Sequence, residues 1–272
     1  MDPIAFKIGG FAIYWYGILV AGGFLVGLWT ASRRCVLDKL DGKVISDLGV
    51  WIILAGMIGA RAMHVVTYWE EQYVDQPLSH LLDFRGGGLV FHGGFIGAAL
   101  AVILYTRLHG KQPLWKIADA FAPSIPLGQA LGRLGCLMYG CCFGTACDLP
   151  WAVQFPAYSP AFTALGQAPA DAAHSLYVHP TQIYSALLNV ALYGGLAWLY
   201  RHKRFDGQVF GLYLAGYSIN RFVVEFFRGD YQAEQLWFGW VKPGQQLSLF
   251  LLPIGIALII LLRRRPLARP VA

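Results

Sequence analysis

The chain has 272 residues, 57% of them hydrophobic and only 13% charged, where soluble domains run near 45–50% and about 25%. That balance excludes an ordinary soluble domain and makes lipid the main solvent. The aromatic share of 15%, with nine Trp and fourteen Tyr, suits a protein with two membrane–water interfaces. The formal charge of +6 is distributed along the chain and forms no patch, so it argues for membrane topology and against a nucleic-acid partner.

Crossing about 30 Å of hydrocarbon takes roughly 20 apolar residues, and seven windows qualify. The first lies near 12–31. No basic n-region or small-residue cleavage site accompanies it, so it is predicted to be a retained helix. The second and third lie near 47–69 and 88–108, separated by a short arm at 70–87. The fourth, near 115–137, holds Pro123 and Pro126 and is predicted to bend. The connection 138–181 exceeds any simple turn and carries Pro, Gly, Tyr and Trp, which predicts a small cap outside the membrane. The remaining windows lie near 182–200, 207–227 and 246–262. With no tandem repeat or low-complexity linker, residues 1–272 read as a single all-α polytopic membrane domain with two insertions.

Loops rich in Lys and Arg stay on the cytoplasmic side. The clusters at 33–43, 107–116, 201–204 and 263–269 hold fourteen of them, all on one side of a seven-helix topology. The loops of the other side hold only Arg85, Arg228 and Lys242, with Lys7 near the N-terminus, and 138–181 has none. The prediction is a periplasmic N-terminus, a cytoplasmic C-terminus and a periplasmic cap.

Three arginines remain within predicted helices: Arg61, Arg133 and Arg221. Each costs about 2.5–3.5 kcal/mol at mid-bilayer on insertion scales. In this topology helices two, four and six all run outward, with each Arg in the outward half, and Tyr16 and His92 fall at a similar depth. Guanidinium forks bind phosphate well, so the group predicts a chamber for a phospholipid headgroup or another phosphorylated ligand. The structural alternative is internal pairing with Glu225 or Asp119, or snorkelling to the interface. On the sixth helix Tyr217, Arg221, Glu225 and Arg228 recur on one stripe, so an internal Arg221–Glu225 pair and a ligand-facing one are both compatible with it. His92 opens a run in which Gly93 and Gly97 have the spacing that lets helices approach closely. It reads either as a core histidine or as a general base.

Five Cys stand at 35, 136, 141, 142 and 147, the last four as C-x4-C-C-x4-C. Zinc sites usually show tighter C-x2–4-C pairs, so a local disulfide or small-residue packing is favoured over metal binding, and direct nucleophilic use stays open.

The order and spacing of Tyr14-Trp15-Tyr16-Gly17, Gly59-Ala60-Arg61, His92-Gly93-Gly94, Gly132-Arg133-Leu134-Gly135, His179-Pro180, Gln182-Ile183-Tyr184 and the run from Arg221 to Arg228 resemble the prolipoprotein diacylglyceryl transferases over nearly the whole chain. The resemblance implies a seven-helix bacterial inner-membrane enzyme whose active site opens toward the periplasm. Such an enzyme moves diacylglyceryl from phosphatidylglycerol to the lipobox cysteine of a preprolipoprotein signal peptide, forms a thioether and releases glycerol phosphate. It implies no metal, no organic cofactor and no nucleic acid. Carried over, the family's essential arginines fall on Arg133 and Arg221, its histidine on His92, its functional tyrosines on Tyr16 and Tyr217 and a functional glycine on Gly144; with the charged and glycine positions above, the expected catalytic residues are His92, Arg133, Arg221 and Tyr217, and the substrate-binding ones Tyr16, Arg61, Gly93, Gly94, Gly144, Glu225 and Arg228. The chain departs where many members have Asn at Cys136, Gly-Glu at Gly140-Cys141 and Tyr at His64, which leaves Cys136 without an inherited role and admits a paralogue with another acceptor. A phosphorylated-lipid transporter would use the same arginines without covalent chemistry, and a scaffold protein would use them only for stability.

Overall fold

The computed structural model describes residues 3–74, 81, 88–108, 113–165, 173–231 and 236–264, with only the backbone described at 42, 91 and 92. Most of the predicted arm and the basic residues Arg85, Lys111, Arg265 and Arg269 therefore lie outside the described residues. The chain divides into two compact units, Met1–Ala31 with Ala118–Ala272, and Ser32–Ile117.

The protein is mainly helical, with one small departure from the all-α expectation. Residues 12–14, assigned to the first helix from sequence, belong instead to a hairpin of β1 (Ile4–Ile8) and β2 (Phe11–Tyr14). Ile8 pairs with Phe11, so Gly9-Gly10 is a two-residue loop, and Gly9 takes φ +59. A left-handed first position is what such a tight hairpin asks of its turn. Helix α1 then runs Trp15–Leu37.

In the Ser32–Ile117 unit, α2 (Gly42–Thr67) begins at Asp41, whose carboxylate accepts the Lys43 N–H at 2.9 Å. A short α3 (Trp69–Gln72) follows, then α4 (Phe91–Leu108). Helices α2 and α4 pack through glycine. A Cβ on Gly59 would strike the Gly93 carbonyl, one on Gly93 the Gly59 carbonyl, and one on Gly94 would lie 3.3 Å from the Gly56 carbonyl. The predicted close approach at Gly93 and Gly97 is thus made, and its partner is α2.

The fourth apolar segment is broken, as its prolines predict, into α5 (Leu114–Phe121) and α6 (Ser124–Tyr139) on either side of Pro123. Proline has no N–H to continue the ladder. In the other unit, α6 faces the first part of α1. Tyr16 lies against Gly135, Gly23 against Gly128, and Thr30 Oγ1 is 2.8 Å from Ser124 Oγ. Contacts that descend on one helix as they rise on the other mark an antiparallel pair.

Between α6 and α8 (Thr181–Tyr200) the chain gathers around Phe143, Phe155, Ala161 and Val178. Isolated bridges and a short α7 (Pro160–Leu165) complete that segment. Helices α9 (Gln208–Glu225) and α10 (Pro243–Leu262) follow. They meet at Gly211 and Gly255, where an added Cβ would come within 3.1 Å of a backbone carbonyl on the other helix. Buried Asp119 accepts the N–H groups of Gly207 and Phe210, each at 2.9 Å, and so caps the start of α9.

Candidate active site

The α9 stripe leads into the most polar part of the molecule. Helical geometry brings Arg221 and Glu225, four residues apart, onto one face, where Arg221 Nη1 lies 3.3 Å from Glu225 Oε2. Glu225 is fully buried and also accepts the Gly244 N–H at 3.0 Å, at the start of α10. A carboxylate there offsets the positive end of the helix dipole. Lys242 closes the opposite terminus. Its Nζ donates to the carbonyls of Glu225 (2.8 Å) and Arg228 (2.5 Å), and burial lowers its pKa.

Beyond Glu225 the ladder tightens, with the Arg228 N–H donating to the Glu225 carbonyl. Arg228 therefore sits one short turn past α9, not within it. Its guanidinium grips Asp230 at two points, Nε to Oδ1 at 2.8 Å and Nη2 to Oδ2, and lies over the Tyr231 ring at 4.8 Å. Burial works against the Arg228 charge, but the Asp230 carboxylate outweighs it and the pKa is raised. Tyr231 Oη accepts from Arg221 Nη2 at 3.1 Å, and burial raises its own pKa. One phenol thus joins two guanidinium groups. Tyr217 is half-buried on the same helix, its ring 5.9 Å from that of Tyr213.

Gly144 reaches this region through backbone pairing. It bridges antiparallel to Arg228 and donates its N–H to the His179 carbonyl, while the Thr145 N–H donates to the Phe227 carbonyl. A Cβ at Gly144 would stand 2.5 Å from His179 Cβ and 2.8 Å from the Phe227 carbonyl. Only glycine lets these backbones meet.

The second half of α6 supplies Arg133. Its guanidinium is half-buried, and among the described residues no hydrogen bond or ion pair takes it up. It is near enough to Tyr16, Cys136 and Cys142 to act on their charge, and Arg228 acts on Cys142 as well. Arg228, Tyr231 and Arg221 are in direct contact, and Arg133 and Arg228 are both within electrostatic reach of Cys142. Sequence reasoning missed Asp230, Tyr231 and Lys242. The first two follow Arg228 closely enough to have suggested a partner, whereas Lys242 comes from a remote segment and left no local signal.

Arg61, in the other unit, is engaged differently. It is 6% exposed, donates from Nε to the Leu81 carbonyl at 2.9 Å and from Nη1 to the Gly88 carbonyl at 3.3 Å, and lies over the Tyr73 ring. His64 Nδ1 is 2.9 Å from Tyr73 Oη. Gly93 and Gly94 serve the α2–α4 contact. The His92 side chain lies outside the described residues.

Helices α1, α2, α8 and α10 are long and apolar enough to cross a bilayer, and α4 adds a shorter apolar stretch. Several such helices in one chain make a multi-pass membrane protein, and arginines and carboxylates within them are candidates for function. The family model for prolipoprotein diacylglyceryl transferase matches residues 3–261. Among relatives, the phosphatidylglycerol–prolipoprotein diacylglyceryl transferase of Vibrio parahaemolyticus is 35% identical over 272 residues, covering 98% of this chain and 93% of its own. That of Thermosynechococcus vestitus is 31% identical, covering 92% and 88%, and that of Finegoldia magna 32%, covering 95% and 94%. The chain belongs to the prolipoprotein diacylglyceryl transferase family.

Proposed function

We infer that this protein is a phosphatidylglycerol–prolipoprotein diacylglyceryl transferase. It moves the diacylglyceryl group of phosphatidylglycerol onto the lipobox cysteine thiol of a prolipoprotein, forms a thioether and releases glycerol phosphate. The observation that carries the mechanism is the pair of guanidinium groups at Arg221 and Arg228 joined by Tyr231, with Arg133 and Arg228 both in electrostatic reach of Cys142. Arg133 and Arg221 hold the headgroup phosphate and stabilise the charge that gathers on departing glycerol phosphate. The Arg133 guanidinium, with no protein partner among the described residues, is the group best free to take an anion.

Glu225 fixes Arg221, Arg228 supports the same field, and Gly144 holds the backbone on which both depend. Tyr16 and Tyr217 line the substrate path. An acceptor thiol has a free pKa near 8.5 and reacts as thiolate; His92 promotes its ionisation, directly or through Tyr217. Arg61 contributes by holding the chain at Leu81 and Gly88, and Gly93 and Gly94 by setting α4 against α2 below His92. The enclosing architecture is seven membrane-spanning helices in the bacterial inner membrane, N-terminus periplasmic, C-terminus cytoplasmic. A 138–181 cap and a 70–87 arm stand on the periplasmic side, where the site opens.

The test is a single reaction mixture of purified protein, phosphatidylglycerol and a lipobox peptide, read by mass. The expected product is a peptide heavier by one diacylglyceryl group, with glycerol phosphate released in equal amount. Phosphatidylglycerol that binds or crosses the bilayer with no covalent product would establish a transporter instead.

A further inference from the structure

The last turn of α6 and the loop after it bring three thiols together. The Sγ atoms of Cys136, Cys141 and Cys142 lie within 4.8 Å of one another, each residue is half-buried, and all three are free thiols. Local geometry supplies the first meeting. Gly140 ends α6 at φ +81 and the Cys141 N–H donates back to the Cys136 carbonyl, a helix end closed by a left-handed glycine that sets the side chains at the two ends of that hydrogen bond against each other. Tertiary contacts supply the second. Thr181 Oγ1 donates to the Cys142 carbonyl at 2.6 Å and Gln182 Nε2 to the Cys141 carbonyl at 2.7 Å, both from buried side chains in the first turn of α8. Cys142 is held there at φ +59, in the left-handed region that side chains disfavour. Cys147 lies outside the cluster, its N–H bonded to the Tyr177 carbonyl.

A disulfide needs its sulfurs at about 2.05 Å and its Cα atoms about 4.4–6.8 Å apart. Adjacent residues have Cα atoms only about 3.8 Å apart, so Cys141 and Cys142 do not suit each other and every unstrained pairing uses Cys136. The attacking group is chosen by its surroundings. Hydrogen bonds from the Cys136 and Cys141 thiols, then the Arg133 and Arg228 guanidinium groups, hold the Cys142 pKa down against burial, and the thiolate is the nucleophile in disulfide exchange. Two residues beyond Cys142, Gly144 pairs with Arg228, and one turn before Cys136 stands Arg133. A bond between Cys136 and Cys142 therefore ties the helix that carries Arg133 to the chain that holds Arg228. In the topology proposed above this segment faces the periplasm, where disulfides form and persist.

We propose that Cys136 and Cys142 are a modification site, closed into a disulfide by exchange with an external disulfide, and that closure sharpens the hold of Arg133 on the headgroup phosphate, a consequence that rests on the transferase reading above. The Cys142 thiol gives its proton to water, and its thiolate attacks one sulfur of the donor disulfide, forming a mixed disulfide and expelling the donor's other sulfur as thiolate. Cys136 then loses its proton to water and attacks the Cys142 sulfur, and the donor's second sulfur leaves. The two cysteines of this chain are oxidised by two electrons and the donor disulfide is reduced to two thiols. The thiolate charge beside Arg133 and Arg228 disappears, which leaves the Arg133 guanidinium to the lipid phosphate.

The test uses the full chain in detergent, with oxidised glutathione as the donor. Alkylation after denaturation is expected to modify all five cysteines of the reduced chain and two fewer of the oxidised one. Chymotryptic cleavage after Tyr139 and Phe143 separates Cys136 from Cys142, so the bond is expected to appear, without reductant, as a joined pair of peptides. Cys141→Ser and Cys147→Ser are expected to close it as the parent does, Cys136→Ser not at all, and Cys142→Ser to form any disulfide at least about tenfold more slowly. The oxidised parent is expected to have a KM for phosphatidylglycerol about fivefold below that of the reduced parent, with kcat changed less. Five thiols that persist against oxidised glutathione, a bond that maps to Cys147 or joins two chains, or one KM for both forms would each overturn the proposal. The mapping and the KM comparison use the unmutated chain, so a variant that fails to fold does not decide the matter. A chain that closes the bond yet makes no thioether in either form would sink the transferase reading and leave the disulfide site standing.

Discussion

Arg61 and Arg221 are both arginines within apolar helices, yet they are satisfied in different ways. Arg61 donates to two backbone carbonyls and rests on Tyr73. Arg221 meets a carboxylate and a phenol, Glu225 and Tyr231, within a group that also includes Arg228 and Asp230. The first arrangement anchors chain, because a carbonyl cannot leave with a substrate. The second brings two guanidinium groups onto one phenol, each with its own carboxylate. An intramembrane arginine thus becomes a site candidate through what it faces, and its depth in a hydropathy plot does not distinguish the two cases.

The comparison can be broken by mutation. Arg133→Ala and Arg221→Ala are expected to lower lipid transfer about 10²–10³-fold in protein that inserts and melts normally; a parental rate in either would remove the anion clamp. Gly93→Ala forces a methyl into the Gly59 carbonyl and is expected to cost about 2–3 kcal/mol, seen as a lower melting temperature in detergent. Glu225→Gln keeps an acceptor for the Gly244 N–H but removes the charge opposite Arg221. A fall of about tenfold in kcat, near 1.4 kcal/mol, is expected, and an unchanged kcat would show that Glu225 serves α10 alone. Arg61→Lys gives up the fork that reaches two carbonyls, about 1 kcal/mol. Faster proteolysis near 81–88 is expected, with a smaller effect on rate. Tyr73→Phe loses the hydroxyl contact with His64, and a stability change of about 0.5–1 kcal/mol should be the smallest of the series.

Much of this was legible beforehand. The apolar windows anticipate α1, α2, α4, α8, α9 and α10, and Pro123 anticipates the break before α6. The Arg221–Glu225 pair follows from four-residue spacing alone. The hairpin at Ile4–Tyr14 was missed although Gly9-Gly10 between apolar residues is a turn signal, because the apolar run masked it. Lys242 could not have been assigned: it reaches back seventeen residues to the Glu225 carbonyl, and no periodicity encodes such a contact.

Long apolar windows determined that this chain is a multi-pass membrane protein, because transfer into lipid acts on each segment by itself. Motif order determined the family. Tertiary structure alone decided which polar groups became neighbours: Gly144 against Arg228, Arg221 with Tyr231, and the thiols of Cys136, Cys141 and Cys142 drawn together by Thr181 and Gln182. The physical reason is range. Solvation and helix propensity are local, whereas a hydrogen bond of 2.6 Å between residues 39 apart in sequence exists only after the packing that aligns them.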